Sequence, residues 1–300
     1  LITCFIVIMV LNVVTWNASG IFYSSAYLLK LLYEKNIDIC GLSEHWLQPH
    51  NTHFLDYLSS DYCVNQAVIA VVLDGIYSTI RIGKGGVAIT WYKKHANSVT
   101  PLCIDDDRII GVQYQVSASQ FLYVFYVYMP RGNHNNDVYS SYIGKLFDLW
   151  NTYAEMAYVE NLGDVHAKFI NRSTVARDKM FCNFNHVCNL FPVSVYLRVV
   201  VLSSRSIDDN KYETLFDFVC VPLKVHDIVS KCEIVDDHCL TVSRHRPVYV
   251  QFGVERVSLQ TNVTMMILIS SLYVLIDQWL HIVRLNVLVL MLKVSVYLVG

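Results

Sequence analysis

The chain has 300 residues, 54% of them hydrophobic, and a formal charge of −2 with its histidines neutral. That length suffices for one large domain or two small ones with a buried core. The near-neutral balance excludes a global basic field for a polyanionic partner and leaves only a local groove open. The nine cysteines stand singly, with no CxxC pair, which argues against a zinc ribbon or a redox dithiol and reads mostly as small buried residues in a reducing compartment.

The opening "LITCFIVIMVLNVV" lacks a basic leader and a small-residue cleavage site. Its end predicts a strand running into "VVTWN", and the residues before it stay open between strand extension and signal-like segment. Next, "SSAYLLKLLYEKN" places Leu28, Leu31 and Leu32 on one helical face. The runs "GGVAITWY", "IIGVQYQV" and "FLYVFYVYMP" are β-branched or aromatic and are separated by turn residues, so they predict strands. Gly85 and Gly86 in "GKGGVAI" lack the spacing of a phosphate-binding loop and predict a tight turn before a buried strand. In "DVYSSYIGKLFDLWNTYAEM", Tyr139, Ile143, Leu146 and Trp150 recur at helical spacing. Mixed strands and helices predict a layered α/β or α+β domain over residues 11–253, with no boundary inside it. Residues 254–300 are far more apolar, yet in the stretch from Thr264 onward Asp277, His281, Arg284 and Lys293 interrupt before a run of ~18 uncharged residues is reached. This extension reads as amphipathic helices or as sequence outside the fold, with membrane contact as an open alternative.

Six stretches place a polar or ionisable residue at the end of an apolar strand, where loops gather and sites form. They are "TWN" with Asn17, "GLSEHW" with Glu44, "VYMP" with Tyr128, "NLGDVHAKF" with Asp164 and His166, "LFDFVCV" with Asp217, and "SRHRPV" with His245. Each alone reads equally as a turn residue, a helix cap or a packed strand side chain.

In order and spacing, "VVTWNASG", "IDICGLSEHWL", "GKGGVAI", "DRIIGVQYQV", "FLYVFYVYMPRGNHN", "LGDVHAKF", "FDFVCV" and "DDHCLTVSRHRPV" resemble the endonuclease/exonuclease/phosphatase superfamily. The pattern is most like the endonuclease domain of non-LTR retrotransposons. The likeness spans residues 11–252, about four fifths of the chain. It implies a four-layer sandwich of two packed mixed β-sheets flanked by helices, and Mg²⁺-dependent hydrolysis of phosphodiesters in DNA, with Mn²⁺ as an alternative ion. By the resemblance, Glu44 is the principal metal ligand and Asn17 its hydrogen-bonding neighbour. Asp164 orients or deprotonates the attacking water, and Tyr128 bonds the phosphate. His245, kept protonated by Asp217, contacts the phosphoryl oxygen. An intracellular setting, nuclear or cytoplasmic, goes with this reading, and no obligate protein partner is implied.

Two positions depart from the family pattern. His166 replaces an asparagine that donates to the scissile phosphate, and histidine can also donate. Arg244 replaces an aspartate at the metal end of the site. At ~4 Å and an effective dielectric of ~20, unit charges interact by about 4 kcal/mol, so this change is expected to weaken metal binding. The guanidinium can instead fork onto phosphate oxygens. Asp237-His238 offers another register for the Asp-His pair, but His245 alone precedes a Pro-apolar strand. Two further readings therefore stand beside the nuclease: a non-catalytic descendant that retains phosphate or nucleic-acid binding, and a phospholipid or phosphoinositide phosphatase. Arg81, Lys84, Lys93, Lys94, Arg131 and Lys168 are available for DNA contact or are ordinary solvated charges.

Overall fold

Along the strands, alternate side chains point to opposite faces, and this period of two sorts the apolar residues into layers. The computed structural model describes residues 3–67, 85–117, 120–131, 135–154, 158–169, 173–196, 216–223, 229–236 and 239–260. Two six-stranded sheets result. In the first, the order is β11 (Val229–Ile234), β12 (Val248–Gln260), β1 (Thr3–Asn17), β2 (Ile39–Ser43), β4 (Val87–Tyr92) and β3 (Tyr62–Ala67). In the second, it is β5 (Val99–Pro101), β6 (Ile109–Gln115), β7 (Phe121–Tyr128), β8 (Tyr158–Asp164), β10 (Asp217–Pro222) and β9 (Leu190–Pro192). Both sheets are mixed: β1 pairs parallel with β2 and β7 with β8, whereas β2 with β4 and β8 with β10 are antiparallel.

Val13, Ile39, Val87 and Ile89 of the first sheet meet Val112, Val124, Tyr126 and Val219 of the second in one central core. The alternate residues Val14, Trp16, Cys40 and Leu42 pack outward with Leu28, Leu31 and Leu32 of α1 (Ile21–Glu34) and Leu55 of α2 (His53–Leu58). Val127, Phe218 and Cys220 pack outward against Tyr139, Ile143 and Leu146 of α3 (Asn136–Tyr153) and against Phe181 and Phe184 of α4 (Ala176–Val187). The result is helix, sheet, sheet, helix, the four-layer sandwich that the motif order implies. Each large side chain fully buried in these layers, such as Trp16 or Phe218, stabilises the fold by roughly 1.5–3 kcal/mol. Gly41 sits where a Cβ would lie 1.9 Å from the Tyr126 ring, so this close crossing of the two sheets requires a glycine.

Helix α1 begins earlier than its leucine pattern, because Gly20 turns the chain at φ 102° and the Ile21 N–H donates to the His45 carbonyl. Helix α4 has no clear apolar stripe in the sequence, since Arg177 and Asp178 are themselves buried on it. Gly85 and Gly86 take φ of 72° and 85° directly before β4, values that favour glycine, and the residues before them, on which the expected turn also depends, lie outside the described residues. Among the described cysteines, Cys40, Cys188 and Cys220 are buried, while Cys63, Cys182 and Cys232 are partly covered and Cys103 and Cys239 are exposed. The expectation that most are core residues thus holds only on β2, β10 and the end of α4. Residues 8–256 form one compact unit, and β12 runs on to Gln260, past residue 253. The reading of the tail beyond residue 260 lies outside the described residues, as do Asp237-His238, Arg81 and Lys84. No helix among the described residues is long and apolar enough to cross a membrane.

Candidate active site

The inward-facing row of each central strand changes from apolar to polar at one end of the sandwich. On β1 the row runs Leu11, Val13, Thr15, Asn17, on β7 it runs Val124, Tyr126, Tyr128, and on β10 it enters at Asp217 before Val219 and Val221. Strand register then aligns these ends: Asn17 lies level with Ser43, Tyr128 with Asp164, and Asp164 with Asp217. The site is therefore the polar rim of the central core.

Local backbone geometry places the two main carboxylates. After β2, Glu44 and Trp46 adopt φ of 51° and 57°, a left-handed conformation that non-glycine residues seldom hold without support. His45 supplies the support: its Nδ1 accepts from the Leu47 N–H at 3.0 Å and its Nε2 donates to the Ala67 carbonyl at 3.1 Å. Burial holds the His45 pKa down to about 4, so the ring stays neutral. Before Asp164, Gly163 takes φ 138° with Val127 O only 1.9 Å from where a Cβ would be. No other residue fits there.

Asn17 joins the carboxylates, its Nδ2 donating to Glu44 Oε1 and to Asp164 Oδ2 at 3.0 Å each. Its own Oδ1 accepts from the Ser19 N–H at 3.1 Å, and its carbonyl accepts from Ser243 Oγ at 2.6 Å. Tyr128 OH donates to Glu44 Oε1 at 2.9 Å, Trp46 Nε1 donates to Glu44 Oε2 at 3.2 Å, and Arg131 donates to Oε1 as well. Burial pushes the Glu44 carboxyl up, but Asn17, Arg131 and Tyr128 outweigh it and hold the group below the usual carboxylate range. Burial, helped by the Glu44 charge, raises the Tyr128 phenol, so Tyr128 acts as a donor and not as a base.

His245 Nδ1 lies 2.7 Å from Asp217 Oδ2. Trp16 Nε1 fixes the loop by donating to the His245 carbonyl at 2.9 Å. Burial alone would lower the His245 pKa, but the charge and hydrogen bond of Asp217 reverse this and raise it to about 9. His166 Nδ1 sits 3.2 Å from Asp164 Oδ1, and burial lowers its pKa, so that ring is neutral. The two histidines thus differ in charge beside a shared aspartate.

All seven residues picked from the sequence, Asn17, Glu44, Tyr128, Asp164, His166, Asp217 and His245, come together at this end. Glu44, Asp164 and His166 offer ligand atoms within 4.8 Å of one another, as do Asp164, Asp217 and His245. Arg244 is exposed, whereas Glu44 and Asp164 are buried. Lys93 and Lys94 lie after the other end of β4, away from this rim, and Lys94 pairs with Asp38 at 2.7 Å. Sequence reasoning left Arg131 as a generic basic residue and passed over Trp46 and Ser243. The available signal for Arg131 was its place in "VYMPR", just beyond a strand whose inward row ends in Tyr128.

No family model matches the chain, and no curated protein matches it. Solved structures do. An AP endonuclease from Leishmania major superposes with a TM-score of 0.66 at 13% identity, covering 82% of this chain and 88% of that one. The 3′ phosphatase NExo from Neisseria, bound to a product DNA hairpin, gives 0.63 at 12% identity over 81% of this chain and 99% of that one. The endonuclease domain of TRAS1, a telomere-specific non-LTR retrotransposon, gives 0.57 at 13% identity over 81% and 98%. With two mixed sheets in this order, the chain has the endonuclease/exonuclease/phosphatase fold.

Proposed function

We propose that the chain is a divalent-metal-dependent nuclease of the retrotransposon-endonuclease type, hydrolysing phosphodiester bonds in DNA. The observation that carries this reading is the convergence of Glu44, Asn17, Asp164 and the Asp217–His245 pair on one rim of the central core. Nuclease neighbours of the same fold support it. The donor set suits a hard divalent ion such as Mg²⁺, because Glu44 and Asp164 present buried carboxylate oxygens that need few partners to hold it.

Glu44, with Asp164 beside it, would hold the ion, which supplies Lewis acidity to the phosphoryl and leaving oxygens. Asp164 orients a water and accepts its proton as the new O–P bond forms and the bridging P–O bond breaks. Asn17 keeps the two carboxylates in register through its shared Nδ2. His245, charged at neutral pH, offers its Nε2–H to a non-bridging phosphoryl oxygen as negative charge grows there. Tyr128 contributes a neutral O–H at the same rim.

The test is a supercoiled-plasmid nicking assay in Mg²⁺, with EDTA and Asp164→Asn as controls. Nicking that disappears in both controls is expected, and nicking that survives both overturns the reading. A second reading, a phosphate-binding descendant without hydrolysis, is favoured by the guanidinium already seated on Glu44. It would show salt-dependent DNA binding with no nicking in any ion.

A further inference from the structure

Glu44 is 2% exposed, yet both of its oxygens already accept hydrogen bonds. Oε2 takes the Trp46 indole, and Oε1 takes Asn17, Tyr128 and Arg131. A carboxylate oxygen has two lone pairs, so Oε1, with three donors, has none free, and a metal ion that takes Oε1 must displace one of them. Three donors belong to the frame. Asn17 is buried and tied to Asp164 and Ser19, Tyr128 is buried at the end of β7, and Trp46 sits on the strained turn after Glu44.

Arg131 differs in every respect. Among the described donors to Glu44 it is the charged one, its side chain is 55% exposed, and it stands on a loop beyond Pro130. Its Nε also donates to Tyr128 OH at 3.1 Å, so the guanidinium bridges Tyr128 and Glu44. A guanidinium keeps its proton throughout the neutral range, so this contact ends only by displacement.

We propose that Arg131 is the resident cation of the Glu44 site: it and a divalent ion compete for the same carboxylate oxygen, and Arg131 thereby sets the ion affinity. This rests on the reading of Glu44 as the metal-holding carboxylate. Displacement frees a planar, forked donor at the rim beside the ion, where phosphate oxygens of the substrate arrive. The ion and the arginine would then act in sequence, the first on Glu44 and the second on phosphate.

The experiment is a Mn²⁺ titration of the whole chain, without nucleic acid, following free Mn²⁺ by electron paramagnetic resonance. Wild type, Arg131→Ala, Arg131→Lys and Glu44→Gln are compared, each with a thermal melt to confirm folding. Arg131→Ala is expected to bind Mn²⁺ about tenfold tighter than wild type, the discount for an exposed partner included. Arg131→Lys, a point charge without the fork, should fall between them, and Glu44→Gln should lose the site. Equal affinity for wild type and Arg131→Ala, with loss in Glu44→Gln, overturns the competition and leaves the metal reading intact. No Mn²⁺ binding even by Arg131→Ala overturns both.

Discussion

The two ends of the sandwich each bury carboxylate charge, and they do so in opposite ways. At the end where β2 begins, Asp38 is 1% exposed and wholly satisfied. One oxygen accepts from the Asn12 N–H at 2.9 Å, the other meets Lys94 at 2.7 Å and His95 at 2.8 Å, and Tyr114 backs the imidazole at 2.9 Å. Burial raises Asp38, but His95, Lys94 and Asn12 outweigh it, so the group stays charged. One anion faces a lysine and an imidazole there. At the end where β2 finishes, Asp164 lies within 4.8 Å, ligand atom to ligand atom, of Glu44 and of Asp217, and Ser19, Glu44, Trp46 and His166 all hold positive φ. Like charges and strained backbone cost stability, and such costs persist where they serve chemistry. The first end is built to hold the strands together, and on the proposed reading the second is built to act.

The largest effect that separates the two ends is on rate. Asp164→Asn is expected to reduce nicking by about 10²–10⁴-fold, the range for a positioned base, while leaving denaturant stability equal or raised through relief of charge crowding. Asp38→Ala should do the reverse. Removing one partner of a buried pair costs ~3–5 kcal/mol, and discounting for the half-exposed Lys94 leaves about 2–3 kcal/mol, read as a lower urea midpoint with nicking unchanged.

The Asp217–His245 pair sharpens the comparison through pH. Because the folded pKa of His245 is about 9 against an unfolded value near 6.5, its contribution to stability is complete below ~6.5 and is lost as pH rises through about 9. The nicking profile should fall on its basic limb near 9, and Asp217→Asn should move that limb toward ~6.5 and flatten the stability slope. Finer still is Arg244→Asp. The exposed Arg244 side chain makes its electrostatic effect small, so the substitution should tighten Mg²⁺ binding by only about two- to threefold.

Much of the second end was legible in the sequence, because a strand of period two that finishes on Asn17, Tyr128 or Asp164 announces both the face and the rim. The pair in "GKGG" was legible from residue type, whereas the need for Gly163 comes from the distant Val127 carbonyl. What the sequence did not disclose is long-range. Arg131 meets Glu44, and Asp38 meets His95, across strand registers that no local pattern encodes. Helix α4 escaped because its buried face includes Arg177, whose guanidinium bonds the Pro130 carbonyl at 2.8 Å, and Asp178, which accepts from the Lys168 N–H at 2.8 Å. Buried polar residues with distant partners look like surface until the partners are known.

The most direct test sets the two buried aspartates side by side, measuring Mg²⁺-dependent plasmid nicking and urea unfolding for wild type, Asp164→Asn and Asp38→Asn. The expected result is a crossed pattern: Asp164→Asn folds as well as wild type and does not nick, and Asp38→Asn is less stable and nicks at the wild-type rate. Nicking by Asp164→Asn at the wild-type rate, or loss of stability in that variant with activity retained, would contradict the assignment of chemistry to this end of the sandwich.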